Sequence, residues 1–537
     1  MPVRAPFLPL VLLGAPGAGK STVGRALARA LGAPFVDVDE EIARDAGATV
    51  RAIFEAEGEG GFRVAEHRAL TRAIELGGPL VIALGAGGHV ARESARWLRH
   101  RALSIVLDVP HDRLLARLSS SSERPLLDGD PAARLAALER GRAAARRALA
   151  HHVVDGAPPV DDVVRAIQGL LSAPTARAFS LPAPADLSAG DVVFDDAAHG
   201  IPALIDTGRV AREWPRVAIV DERVRALFDD RGVDDVIVVD AARAKRAETA
   251  LDLASRVSSR AGPCTLVGVG GGSVLDLCGF VAHVVRRGLP HVLVPTTLLA
   301  MVDAAHGGKT ALDTEHARNA IGAFHMPVGV VIDVRFLDHE PVAGRRSGAV
   351  EAFKHELLRP DAPASGAAVV DDALRALAEE GLRDDVARAD VRDVVERAVS
   401  LKRAVVDVDP MDRGPRFALN LGHTIGHALE RASGFALSHG EAVRRGLVGA
   451  LALSVEHAGL SSTVRDALVA RARAFAPPPT ETKARPALDD VLRALPLDKK
   501  STHEGPRFVL LAAPGRVVVE HVREESVREA ARLALDA

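Results

Sequence analysis

Residues 10–22, LVLLGAPGAGKST, join an apolar run to a glycine loop and then to a helix-forming stretch. Few folds accept that order. It demands a buried strand whose end opens into a loop of backbone N–H groups at a helix N-terminus, inside a parallel α/β sheet. Gly14, Gly19, Lys20 and Ser21 match the spacing G-x-x-x-x-G-K-[ST]. Glycines let the main chain curl around phosphate, and the helix dipole adds to the attraction. Gly14, Gly17, Ala18, Gly19, Lys20, Ser21 and Thr22 are therefore expected to cradle ATP. Lys20 is expected to reach the terminal phosphates, and Ser21 to hold Mg2+. The apolar run 7–13 leads straight into this loop and lacks a charged start, so it reads as a strand rather than a signal peptide.

The following segments bear on the acceptor. FVDVDEEI places Asp37 and Asp39 two apart, expected at the end of a second strand and on one face of it. One carboxylate suits a contact to Mg2+ through water, the other the orientation of an acceptor hydroxyl. EGEGGFR supplies Phe62 and Arg63, with Glu66 one helical turn on. Another strand ends in Gly85-Ala86-Gly87-Gly88, where backbone can approach a small ligand. Residues 119–127, SSSSERPLL, read as a polar lid carrying Arg124 onto the transferring phosphate. Arg142 follows on a helix.

In this order over residues 1–172, these motifs resemble shikimate kinase. The resemblance implies ATP-dependent phosphorylation of the shikimate 3-hydroxyl. Asp39, Arg63, Gly85, Gly87 and Arg142 would hold shikimate, with both arginines on its carboxylate. Lys20, Asp39 and Arg124 would serve the transfer itself. Two departures stand out: the glycine triplet reads Gly-Ala-Gly, and Arg146 stands where the family often has tyrosine, in a chain without any Tyr. Another small P-loop kinase, such as a gluconate kinase, is the alternative.

At 537 residues the chain is too long for one core, so several domains are expected. A net charge of −3 gives no electrostatic case for nucleic acid or an anionic membrane. Two cysteines, Cys264 and Cys278, exclude a disulfide framework and a thiolate metal cluster, and suit a cytoplasmic protein. No apolar run reaches membrane-spanning length. Residues 173–190, rich in Ala, Pro and Ser, read as a semi-extended linker. Among 68 basic residues only eight are lysines: Lys20, Lys245, Lys309, Lys354, Lys402, Lys483, Lys499 and Lys500. Where lysine persists, a compact ammonium has a use that a planar guanidinium does not.

Beyond the linker, two apolar strands at residues 217–224 and 235–243 suggest a second parallel sheet. Gly270-Gly271-Gly272 ends a further strand and opens a helix carrying Asp276, a loop on which pyrophosphate can lie. Thr296 and Thr297 end another strand, and Asp303, Gly307-Gly308-Lys309 and Asn319 follow. Past residue 334 the pattern turns helical. Glu351 and Lys354 share one helix face. Lys402 and Arg416 come next. Asn420, His423 and His427 then sit at i, i+3 and i+7, and His439 lies twelve residues after His427. Three imidazoles at such spacing suggest a divalent metal. Spacing alone picks His423 and His427 as the chelating pair.

GGGSxxDxxGF, PTTLLAxVD, GGKT, NxIGAFxxP, ExxKH, LNxGHTxGHAxE and HGEAV, in this order, resemble 3-dehydroquinate synthase over nearly all of residues 190–520. The resemblance implies NAD and one divalent metal, Zn2+ or Co2+. It implies conversion of a seven-carbon phosphorylated keto-sugar acid, DAHP, into 3-dehydroquinate with loss of phosphate and no net redox change. Glu351, His423 and His439 become the metal ligands, and His427 a substrate contact, against the spacing argument. Asp221, Lys245, Gly271, Gly272, Asp276, Thr296 and Thr297 would form the NAD site. Asp303, Lys309, Asn319, Lys354, Lys402, Arg416, Asn420, His427 and Lys499 would meet substrate, with Lys309, Lys354, Lys402 and His427 catalytic. An expected acid for the NAD ribose is missing from Ala241-Ala242-Arg243-Ala244-Lys245, Arg223 replaces a small polar residue, and Arg318 replaces a lysine.

The expectation is thus a P-loop kinase domain at 1–172 and a linker at 173–190. A Rossmann-like NAD-binding domain follows at 191–335, and an all-helical metal and substrate domain at 336–537, forming a homodimer through the synthase half. The alternatives are one live half beside a degenerate docking module, or a metal-dependent polyol dehydrogenase fused to another kinase.

Overall fold

The computed structural model describes residues 6–76, 78–87, 92–118, 131–187, 191–209, 211–315, 317–364, 373–374, 385–477, 485–495 and 506–537. Arg124 and Lys499 fall outside them. Among the described residues, no helix is long and apolar enough to cross a membrane.

The first half is built on β1 (Leu10–Gly14), β2 (Phe35–Asp37), β3 (Val81–Ala83), β4 (Leu103–Asp108) and β5 (His152–Asp155). They pair in parallel in the order β2-β3-β1-β4-β5. Every β1 residue is buried, as a strand covered on both faces requires. Leu10 and Leu12 pack with Leu27, Ile167 and Leu171, while Val11 and Leu13 pack on the other face with Ile53, Leu70 and Leu98. Central β1 thus delivers the glycine loop to the carboxyl edge of the sheet, where ligands bind in open α/β sheets.

The second half opens with β6 (Val192–Val193), β7 (Arg216–Asp221), β8 (Asp235–Val239), β9 (Thr265–Gly270) and β10 (His291–Pro295). A hairpin of β11 (Lys309–Leu312) and β12 (Ile321–Phe324) follows, then β13 (Gly329–Val331). The six-stranded sheet runs β6-β13-β10-β9-β7-β8, all parallel. Helices Val342–Leu358, Asp385–Val408, His423–Ala432 and His439–Ala458 dominate the remainder. One antiparallel hairpin, β14 (Arg507–Ala513) and β15 (Arg516–His521), joins them, so this domain is helical around a small sheet. The helices His423–Ala432 and His439–Ala458 come very close. A Cβ on Gly446 would stand 2.0 Å from the Gly422 carbonyl oxygen, so only glycine fits there.

The linker reading is corrected. Residues 174–177 form a 3-10 turn, and Phe179 exchanges two backbone hydrogen bonds with Val517 of β15 (2.9 and 2.8 Å). Ala178, Phe179 and Leu181 are buried in the second half. The start of the chain does the same. Leu8 belongs to the second half's core, and the Phe7 ring lies 5.2 Å from that of Phe417. Composition suggested a solvated tether, but the apolar residues inside it outweigh the Pro and Ser.

Candidate functional site

Two sites emerge. In the first half, the loop after β1 uses Gly17 and Gly19 at φ 80° and 87°, backbone that side chains rarely adopt. Gly19 caps the helix Lys20–Leu31, and Lys20 Nζ donates to the carbonyls of Gly14 and Ala15, each at 3.1 Å. A cleft of about 1510 Å3 opens here. Gly17, Ala18, Gly19, Lys20, Ser21, Thr22, Asp37, Asp39, Arg63, Gly85 and Gly87 all line it.

The strand placement of the two aspartates is corrected. β2 stops at Asp37, whose Oδ1 accepts from the backbone N–H of Asp39 (3.1 Å) and Glu40 (3.4 Å) and so caps the helix Val38–Ala46. Asp39 therefore sits in the first helical turn, not one pleat further along a strand. Its Oδ1 points at Gly85, where a Cβ would lie 2.7 Å from it and 2.3 Å from Glu66 Oε1. A Cβ on Gly87 would strike the Arg63 guanidinium at 2.1 Å. The two glycines are the room in which these side chains stand. Arg63 and Arg142 converge: their Nη2 atoms donate to the same Glu59 oxygen, at 3.0 and 2.8 Å. A carboxylate already bridges the two expected carboxylate binders.

Two residues here escaped assignment from sequence. Glu66 is fully buried and pairs with Arg63, and burial pushes its carboxyl up to about 7 against the pull of that guanidinium. Its place one turn after Arg63 was the available signal. Arg117 lines the cleft beside Gly19 and donates to the carbonyls of Gly156 and Ala157. Nothing local marks it.

In the second half, Gly270 ends β9 and Gly271 caps the helix Gly272–Val284. Thr296 N–H donates to the Gly270 carbonyl (3.0 Å), and Thr297 caps the next helix through its side chain. Asp221, at the end of β7, is buried and held in two-pronged contact by Arg223. Asp276 pairs with Lys245 at 2.5 Å, and Lys245 also donates to Asn319 Oδ1. The expected NAD residues thus gather at the carboxyl ends of adjacent strands β7, β9 and β10.

Below them lies a cluster of buried charge. Glu351 projects from the helix Val342–Leu358 and pairs with Lys354, both 1% exposed. Glu351 Oε1 also lies 3.4 Å from His423 Nε2 and 3.5 Å from His439 Nε2. Neither carboxylate oxygen has a hydrogen-bond partner among the described residues. Burial alone would raise the Glu351 carboxyl, but the Lys354 ammonium and the imidazoles hold it well below the usual range. Burial would likewise lower His439, yet Glu351 and Glu430 keep it up at about 10. One donor atom from each of Glu351, His423 and His439 lies within 4.8 Å of the other two. This buried carboxylate with two imidazoles fits a divalent cation with open positions. No three-residue donor set among the described residues contains both His423 and His427. His427 instead groups with Glu430 and His439.

Around this point stand the cations. Lys402 Nζ donates to Asp303 (2.5 Å), which is held far below the carboxylate range by Lys402 and Lys354 although burial opposes it. Lys309 pairs with Asp412 at 2.6 Å. Arg416 donates to the carbonyls of Gly307 and Pro410, each at 2.8 Å. Asn420 Nδ2 donates to the Phe417 carbonyl. Glu430, His355 and Asp412 were not singled out from sequence. Glu430 lay within reach of that reading, at i+3 from His427.

Residues 16–171 match the family described as shikimate kinase. Residues 235–346 and 348–501 match the N-terminal and C-terminal parts of 3-dehydroquinate synthase. A bifunctional shikimate kinase/3-dehydroquinate synthase of Thermotoga maritima is 31% identical over 445 residues, covering 82% of this chain and 83% of its own. A 3-dehydroquinate synthase of Thermobifida fusca is 40% identical over 345 residues, 60% of this chain and 88% of its own. Among solved structures, a 2-epi-5-epi-valiolone synthase from Streptomyces hygroscopicus with NAD+ and Zn2+ bound aligns at TM-score 0.53 and 24% identity, over 64% of this chain and 96% of its own. A 2-deoxy-scyllo-inosose synthase complexed with carbaglucose-6-phosphate, NAD+ and Co2+ aligns at 0.54 and 21%, over 66% of this chain and 99% of its own. These two share the fold of the second half.

Proposed function

Since the chain belongs to the family of bifunctional shikimate kinase/3-dehydroquinate synthases, we propose that both reactions run on it, at separate sites. The proposed domains are a kinase at 1–172, a connecting segment at 173–190 whose Phe179 is anchored on the second half, an NAD-binding domain at 191–335 and a helical domain at 336–537. The first reaction transfers the terminal phosphoryl group of ATP to the 3-hydroxyl of shikimate. The loop from Gly14 to Thr22 and Lys20 hold the polyphosphate, and Ser21 and Asp37 would hold Mg2+. Asp39 orients the acceptor hydroxyl and takes its proton, with its Oδ1 facing Gly85 in the cleft. Arg63 and Arg142 release Glu59 and take the shikimate carboxylate, while Glu66 and the Gly85–Gly87 turn fix the ring.

The second reaction converts DAHP to 3-dehydroquinate and phosphate. Glu351, His423 and His439 would hold the divalent metal, Zn2+ or Co2+, and the residues around Gly271, Asp276 and Thr297 the NAD. When bound, metal and dinucleotide together supply reversible oxidation of a substrate hydroxyl. The chain itself supplies positive charge and exclusion of water. Lys309, Lys354, Lys402 and Arg416 bind the substrate's phosphate and carboxylate, and Asp303, Asn319, Asn420 and His427 its hydroxyls. Assembly is proposed as a homodimer through this half.

The observation that carries the proposal is the meeting of Glu351, His423 and His439 around one buried point beside Lys354. The test is phosphate release from DAHP with and without chelator. The expected result is chelator-sensitive release with no accumulation of NADH. Accumulating NADH with a simple polyol, and no phosphate, would instead mark a polyol dehydrogenase. ADP formed with shikimate, and not with gluconate, tests the first half.

A further inference from the structure

Arg101 ends the helix Arg92–Arg101 of the kinase half and is 4% exposed. Its guanidinium lies on the Trp97 ring, 4.1 Å from the centroid. Its ion-pair partner belongs to the other half: Arg101 Nη2 is 3.6 Å from Oδ1 of the fully buried Asp409. That carboxylate folds the turn 409–416, accepting from the backbone N–H of Arg413 (3.0 Å), Gly414 (2.7 Å) and Arg416 (3.1 Å). The turn presents Asp412, which pairs with Lys309, and Arg416, which braces Gly307. A second contact from the kinase half reaches the same place. The Phe7 ring stands 5.2 Å from Phe417, and Arg507 lies over both rings.

We propose that the kinase half is a working part of the synthase site, with Arg101 a positioning residue that acts through Asp409. Two of the cations assigned to DAHP depend on this turn: Arg416, whose N–H Asp409 holds, and Lys309, through Asp412. The Asp409 carboxylate takes its buried countercharge from the neighbouring half. Without Arg101, Asp409 keeps its N–H donors and only the charge of Arg416 nearby, and the turn loosens. Because the turn positions cations that bind phosphate before reaction as well as during it, the loss falls on binding more than on turnover. The inference rests on the proposed phosphate role of Lys309 and Arg416.

The test uses the full-length chain and Arg101→Met, which fills the space without the charge, beside Arg101→Lys, which restores charge. The expected result for Arg101→Met is a rise of about tenfold in KM for DAHP with kcat within about twofold. Kinase KM and kcat for shikimate stay unchanged. Hydrogen exchange quickens at the amides of Arg413, Gly414 and Arg416 and not in the loop 14–21, and Arg101→Lys recovers part of both effects. Unchanged KM and unchanged exchange would overturn the proposal. So would a parallel fall of both activities with faster exchange throughout, which marks loss of folding. Arg416→Met separates the underlying reading: if it leaves KM for DAHP unmoved, the phosphate role fails, while exchange at 413–416 still decides whether Arg101 holds the turn.

Discussion

The two halves offer a phosphorylated ligand different physics. In the first, the main chain does most of it: glycines at positive φ, a helix N-terminus and a lysine tethered to two carbonyls, all at the rim of an open cleft. In the second, formal charges stand in opposed pairs, Lys354 with Glu351 fully buried and Lys402 with a partly exposed Asp303. Peptide dipoles carry no net charge, so a side chain can leave a loop of that kind without stranding anything. A buried pair is different, because removing one member leaves the other uncompensated. The first half should therefore fail chemically before it fails structurally, and the second should fail in both ways at once.

The largest expected effect tests independence. Lys20→Ala should cost the kinase about a thousandfold in kcat/KM, on the order of 4 kcal/mol, through lost stabilisation of the transferring phosphoryl group. Phosphate release from DAHP should be unaffected. Loss of both activities would break the comparison.

Next comes stability. Lys354→Met should destabilise the metal-free protein by about 3 kcal/mol, leaving the buried Glu351 carboxylate with only the imidazoles of His423 and His439 beside it. Thermal melting should show it, and added Zn2+ should restore part of the loss by replacing the missing positive charge. Arg63→Met in the first half should cost only about half as much by the same reasoning, because Glu66 can take up a proton instead. Equal losses would erase the distinction between the halves.

A pH dependence sharpens the same contrast. The Glu66 carboxyl sits at about 7, raised by burial from its ordinary value. The folded state therefore binds this proton more tightly than the unfolded chain. Its contribution is complete below about pH 4.5 and fades as pH rises through 7, on the order of 3 kcal/mol in all. The melting-temperature gap between wild type and Glu66→Gln should shift in favour of the variant from pH 5 to pH 8. A gap independent of pH would argue against a proton on Glu66.

Much of this was legible in the sequence because the signals are local. The spacing from Gly14 to Ser21 encodes a phosphate loop by itself, and the glycines around His423 and His427 encode helices packed at backbone contact. What was missed depends on choices that neighbours make. Whether Asp37 extends a strand or caps a helix turns on a single pleat, and capping two N–H groups wins. Phe179 pairs with a strand more than three hundred residues away, and nothing in an Ala-Pro-Ser stretch announces it. Glu59 reads as an ordinary surface acid until Arg63 and Arg142 are seen to share it.

The burial of Leu8 against the far half bears on how the two genes could ever be parted again. Severing the polypeptide near residue 172 would leave the kinase trailing an oily hook and the synthase with an open socket, each prone to sticking to other molecules. The apolar start of the chain thus ties the kinase half to the synthase half as covalently joined neighbours that also share a core.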